Sequence, residues 1–143
     1  MHLRTPKPAL MFAFAAAMVV WGAHGPRAQP QAEFTRTILQ VRDLRVPGRA
    51  AVVARVEFRP GAVIGRHTHP GEEIGYVLEG TLVLEVEGKA PVTLKAGDSY
   101  FVEAGRVHGG RNGNAPARVL ATYLVEKGKP LAMAVEGEGD VRN

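Results

Sequence analysis

Beyond residue 33 the apolar positions fall in short runs and not at helical spacing. Thr37 to Arg42, Ala51 to Phe58, Ile74 to Glu79, Thr81 to Glu87, Val92 to Lys95, Ser99 to Val102 and Arg118 to Val125 are strand-length and rich in valine, leucine, tyrosine and phenylalanine. Turn signals separate them: Pro47-Gly48, Pro60-Gly61, Pro70-Gly71, Glu79-Gly80, Glu87-Gly88, Ala96-Gly97-Asp98 and Asn112-Gly113-Asn114. No segment has a convincing amphipathic helical period. The pattern predicts an all-β chain, a single antiparallel β-barrel or double-sheet jelly roll. Several runs are apolar on both faces, Val52-Val53 and Tyr76-Val77-Leu78 among them, so the outer surface is expected to be covered too. A homodimer formed barrel to barrel would cover it. From Lys127 the chain becomes glycine-rich and mixed in charge, and residues 127–143 read as a C-terminal arm or frayed tail.

Residues 1–32 break this pattern. Arg4 and Lys7 precede an uncharged apolar block from Ala9 to Trp21, followed by small residues, which is the order of a secretory signal peptide and short linker. As a helix rising about 1.5 Å per residue the block would reach roughly 20 Å, against about 30 Å of hydrocarbon, too short for a comfortable span. The mature chain is expected to begin between Ala23 and Phe34 and to be periplasmic or secreted, with membrane contact only through the signal segment. That leaves residues 33–126 as one domain, large enough to bury a core without disulfides.

Composition narrows the chemistry. With no cysteine there is no disulfide framework, thiolate nucleophile or cysteine-zinc site. Ser99 is the only serine and lacks the small-residue elbow of a serine hydrolase. The leader carries Arg4, Lys7 and Arg27 and no acid, so the chain after residue 32 keeps 15 of the 18 basic residues against all 14 acids, a net of +1. Nucleic-acid binding has no electrostatic case, and Arg36, Arg42, Arg45 and Arg49 read as a solvated face.

The candidate chemistry lies between Gly61 and Gly80. In an extended strand His67 and His69 share one face while Thr68 faces away. Pro70-Gly71 turns the chain, after which Glu73 can open a returning strand and bring its carboxylate beside both imidazoles; Glu72 then faces away. Of five histidines, His2 and His24 lie in the leader, and the remaining one, His108, sits in a second glycine-flanked strand. It is the expected third imidazole. Asn112 reads as a turn residue, and Tyr76, Tyr100, Phe101 and Tyr123 as core or interface, with one of them free to line a pocket.

The spacing from Gly61 through His67, His69 and Glu73 to Gly80 resembles the first signature of the cupin superfamily, and Gly97, Gly105, His108 and Asn112 resemble the second. One position departs: Glu103 stands where that family usually has proline. The resemblance spans roughly residues 35 to 125. It implies a small antiparallel barrel, of the single-domain quercetin-dioxygenase-like kind, with a mononuclear metal held by His67, His69, Glu73 and His108. Three imidazoles and a carboxylate suit one divalent ion among Fe, Mn, Ni, Cu, Co and Zn, and an octahedral ion would keep two positions open for a small-molecule substrate. Two functions follow: a metalloenzyme of the oxygenase type acting on an enediol, catechol-like or flavonol-like molecule, with Glu73 as catalytic carboxylate, or a non-catalytic exported binder of metal or a small ligand.

Overall fold

A computed structural model describes residues 33–135. The expected signal peptide and the end of the expected tail lie outside the described residues. Within them the chain forms strands joined by turns, with no helix. The strands are β1 (Phe34–Asp43), β2 (Arg49–Phe58), β3 (Val63–Thr68), β4 (Gly71–Glu79), β5 (Thr81–Val86), β6 (Val92–Lys95), β7 (Ser99–Val102), β8 (His108–Asn112), β9 (Ala117–Glu126) and β10 (Met133–Ala134). They make two five-stranded sheets, ordered β1-β2-β9-β4-β7 and β10-β3-β8-β5-β6, with antiparallel pairing throughout. The architecture is the expected double-sheet jelly roll.

Strand alternation decides what lies between the sheets. In β9, Ala117, Val119, Ala121, Tyr123 and Val125 are buried while the residues between them are not. Across the sheet, Arg36 of β1 pairs with Val56, Val56 with Val119, and Val119 with Val77, one inward row running from strand to strand. Leu82 and Leu94 close the core from the second sheet. Gly80, with φ of 78°, turns β4 into β5 where any Cβ would strike the Pro116 carbonyl, so the crossing between sheets depends on that glycine.

The opposite row of β4 points outward. Ile74, Tyr76 and Leu78 are exposed, as is Phe101 paired across from Ile74. The expectation of a homodimer rests on this apolar face.

Of the expected C-terminal arm or frayed tail, residues 127–135 are described, and they return to the barrel. Leu131 packs against the core, Met133 and Ala134 pair with Thr68 and His67, and the Val135 amide donates to the Arg66 carbonyl at 2.9 Å. Two residues of strand were too few to show in the apolar pattern. Only the long-range pairing defines them.

Candidate metal centre

The two motifs meet through one strand pairing. His67, near the end of β3, lies directly opposite His108, the first residue of β8, after a register irregularity that follows Ile64. His69 stands just beyond β3, at the turn into β4, and Glu73 occupies the inward row of β4 with Gly71, Gly75 and Val77. One donor atom from each of His67, His69, Glu73 and His108 lies within 4.8 Å of every other. Glu73 Oε2 is 2.9 Å from His69 Nε2 and 3.1 Å from His108 Nε2. His69, Glu73 and His108 are buried, and His67 borders the opening.

The imidazoles are aimed by their other nitrogens. His67 Nδ1 is 2.8 Å from the Gly65 carbonyl, His108 Nδ1 is 2.9 Å from that of Arg106, and His69 Nδ1 is 2.6 Å from that of Leu131. A carbonyl only accepts, so each Nδ1 is the donor and each neutral ring keeps its lone pair on Nε2. Although His69 Nε2 lies close to Glu73, it is buried without a hydrogen bond. A lone pair facing a carboxylate is a repulsive arrangement that a shared cation resolves. By this criterion the donor set fits a divalent metal ion.

Electrostatics keep most of these donors in ligating form. Burial pushes the His67 pKa down to about 4, against an opposing bond to Gly65, so this ring is neutral near pH 7. Burial would raise the Glu73 pKa, but the adjoining His108 and His69 rings and the Tyr100 hydroxyl outweigh it and hold the carboxyl far below its ordinary range. For His108, burial is outweighed by Glu73 and the Arg106 carbonyl, and its pKa is raised.

Tyr100 Oη donates to Glu73 Oε1 at 2.7 Å. This contact requires Gly75, directly across from Tyr100 in the β4–β7 register, because a Cβ there would fall within the Tyr100 ring. Burial and then the neighbouring Glu73 raise the Tyr100 pKa, which keeps the phenol protonated as a donor. Tyr123 packs edge-tilted on His69, ring centres 4.8 Å apart. A cavity of about 60 Å³ opens beside His67, Glu73 and His108 and is otherwise mostly apolar.

The structure thus brings together the four residues expected from sequence. Glu72 turns away from them and accepts from Arg49 at 2.7 Å. Asn112 is buried at the end of β8, where its Nδ2 donates to the Ala115 carbonyl and braces the turn. Glu103, in the position of the missing proline, is exposed and tied to Lys89 at 2.9 Å, while the Gly105 amide of the same loop donates to the His69 carbonyl at 3.0 Å. Two arginines correct the solvated-face reading. Arg49 is half-buried and also donates to the Leu124 carbonyl, and Arg36 points into the cavity. Sequence also missed the Leu131 carbonyl and the specific role of Tyr100.

Comparison with known proteins follows the same lines. Residues 54–123 match the family described as Cupin domain. An oxalate-binding protein of Thermotoga maritima is 39% identical over 79 residues, 54% of this chain and 64% of that protein. The chain therefore spans slightly less than two thirds of that relative. The tetracenomycin polyketide synthase protein TcmJ of Streptomyces glaucescens is 32% identical over 108 residues, covering 74% of this chain and 70% of that protein. Among solved structures, the DMSP lyase DddQ of Ruegeria pomeroyi superposes with a TM-score of 0.63 at 24% identity, over 76% of this chain and 54% of that one, a likeness of fold.

Proposed function

The chain belongs to the cupin superfamily, and on that premise we propose that it is a mononuclear metalloprotein that binds a small oxygen-chelating molecule and acts on it in the manner of a dioxygenase. The observation that supports this most is the convergence of three imidazole nitrogens and one carboxylate beside a largely apolar cavity, whose wall includes His67, Glu73 and His108. His67, His69, Glu73 and His108 would hold the ion. When bound, iron, manganese, nickel, copper or cobalt supplies redox and Lewis-acid chemistry, whereas zinc supplies only the latter.

The protein's own part is positional. Apolar walls around the cavity exclude water, and the Nδ1 bonds fix where the imidazoles point. Glu73 turns one oxygen toward His69 and His108 and accepts at the other from Tyr100, so Tyr100 and Glu73 form a short path on which a substrate proton can be taken up or returned. The cavity is far below the roughly 300–1,000 Å³ usual for drug-sized ligands, which favours a chelator of few heavy atoms over a flavonol-like one. A second reading, binding without turnover, is favoured by the relative named for oxalate binding.

Elemental analysis tests the shared premise. About one divalent ion per chain is expected in the wild type, with severe loss in each of His67→Ala, His69→Ala and His108→Ala. Full occupancy in all three variants would overturn the site. Oxygen uptake by protein loaded with each redox-active metal, offered a panel of small enediols and hydroxy acids, then separates enzyme from binder. Tight binding without uptake or product selects the binder.

A further inference from the structure

Arg36 is a cation in an inward row of the first sheet, where Val56, Val119 and Val77 occupy the other positions. Its guanidinium carbon lies 5.8 Å from the centre of the Phe34 ring and 5.6 Å from that of Tyr123. Its Nε is buried and has no hydrogen-bond partner. Most described arginines behave otherwise: Arg49, Arg55, Arg66, Arg106, Arg111 and Arg118 each meet a carboxylate. Among the described residues no carboxylate pairs with Arg36. Leaving a buried donor of a charged group unsatisfied costs stability, and aromatic stacking offsets only part of that cost.

An anionic ligand would satisfy it. The guanidinium fork matches a carboxylate through two parallel N–H bonds, and the two aromatic rings restrict its plane before any ligand arrives. Tyr123 touches both this arginine and the cluster, its ring centre 5.6 Å from the Arg36 guanidinium carbon and 4.8 Å from that of His69, and Arg36, His67, Glu73 and His108 line one cavity, so a ligand held there meets both polar ends.

We propose that Arg36 is a specificity-determining residue, and that the ligand is a short chelator bearing an additional carboxylate, which Arg36 holds while the chelating oxygens face the histidine–glutamate cluster. The proposal rests on the metal-binding reading above and adds to it the charge and polarity of the ligand. A neutral enediol or catechol would leave Arg36 with the Tyr123 hydroxyl and two rings but no anion. A hydroxy acid with a second carboxylate satisfies both ends.

The test uses pairs that share a chelating head and differ by a carboxylate in place of a methyl: tartronate against lactate, and malate against 2-hydroxybutyrate. Titration calorimetry with zinc-loaded protein reads binding without turnover, and elemental analysis of the same samples reads metal content. Wild-type protein is expected to prefer the diacid of at least one pair by tenfold or more. Arg36→Met, which keeps apolar length and loses the charge, should weaken that diacid by tenfold or more, change the monoacid less than twofold and leave metal content unchanged. Arg36→Lys should fall between them, and it replaces Arg36→Met as the deciding variant should the latter not fold. Equal affinity for diacid and monoacid in the wild type, or equal loss of both in the folded variant, would overturn the proposal and leave Arg36 as a stacked structural residue. Absence of metal from the loaded wild type would instead remove the premise, and this proposal with it.

Discussion

His67 and His108 are each fixed by a carbonyl two residues upstream, Gly65 and Arg106, whereas His69 is fixed by Leu131, 62 residues downstream. The first two bonds form with the local backbone around each histidine. The third exists only once the C-terminal segment has returned along β3, with Met133 and Ala134 paired and Leu131 set on the core. His69, only 2% exposed, thus takes its aim from a distant short segment. Ligand orientation is separable from the barrel at one histidine and inseparable at the other two.

Removing the returning segment is the strongest way to break that asymmetry. A chain ending at Glu126 is expected to keep its β-rich circular dichroism and to lose about 10- to 100-fold in metal affinity, the usual cost of a lost outer-shell partner. Arg106→Ala serves as the local counterpart, since it keeps the carbonyl that holds His108, and should change affinity less than about twofold on the same scale. Competition with a chelator of known affinity measures both. Equal affinity of the shortened and full chains would show that Leu131 does not aim His69.

The same asymmetry governs what the sequence discloses. His67, His69 and Glu73 lie within seven residues, and strand alternation with one turn suffices to bring them together. His108 needs the β3–β8 register, but its glycine-flanked strand and the absence of other histidines in the domain signal it. Residues 127–135 carry no such signal: Gly128 and Pro130 read as turn, and Leu131 and Met133 are too few for a strand run. Arg36 was hidden for a related reason. β1 has an irregular register between Ile38 and Gln40, so alternation along it does not report which side chains face inward. Tyr100 reaches Glu73 only because Gly75 stands opposite, a fact of pairing and not of either residue alone.

Tyr100→Phe extends the comparison to the fourth ligand, whose outer partner comes from the neighbouring strand. Loss of the hydroxyl removes a donor that stabilises the Glu73 carboxylate, so the Glu73 pKa rises and the carboxylate loses its fixed orientation. Metal affinity should fall about tenfold, the lower end of the outer-shell range, because His69 and His108 still face the other oxygen. The ring remains to fill its place against Gly75, so the melting temperature should move little. Unchanged affinity, measured by chelator competition, would assign Tyr100 to packing alone.

The smallest expected effect is a slope, and it separates the two locally held imidazoles from each other. Three unperturbed imidazoles, each with a pKa near 6.5, would all compete with the metal on acidification, and affinity would then fall by up to about 1,000-fold per pH unit. His67 does not join that competition: burial pushes its pKa down to about 4, so it binds its proton only at lower pH and is ready to ligate above it. His108 moves the other way. Burial is outweighed there by Glu73 and the Arg106 carbonyl, so its proton must leave for the metal to bind, and its share of affinity is lost as pH falls through the raised pKa. Glu73, held low, adds no proton to this range. With His67 outside this range, the slope of log affinity against pH should stay below three down to about pH 5, and metal uptake should release more protons as pH falls through the raised His108 pKa. Calorimetry in two buffers of different ionisation enthalpy counts the protons, and chelator competition gives the slope. A slope of three would mean that His67 titrates as an ordinary exposed histidine, and that a carbonyl on Nδ1, which His67 and His108 share, outweighs the burial and the Glu73 contact that set them apart.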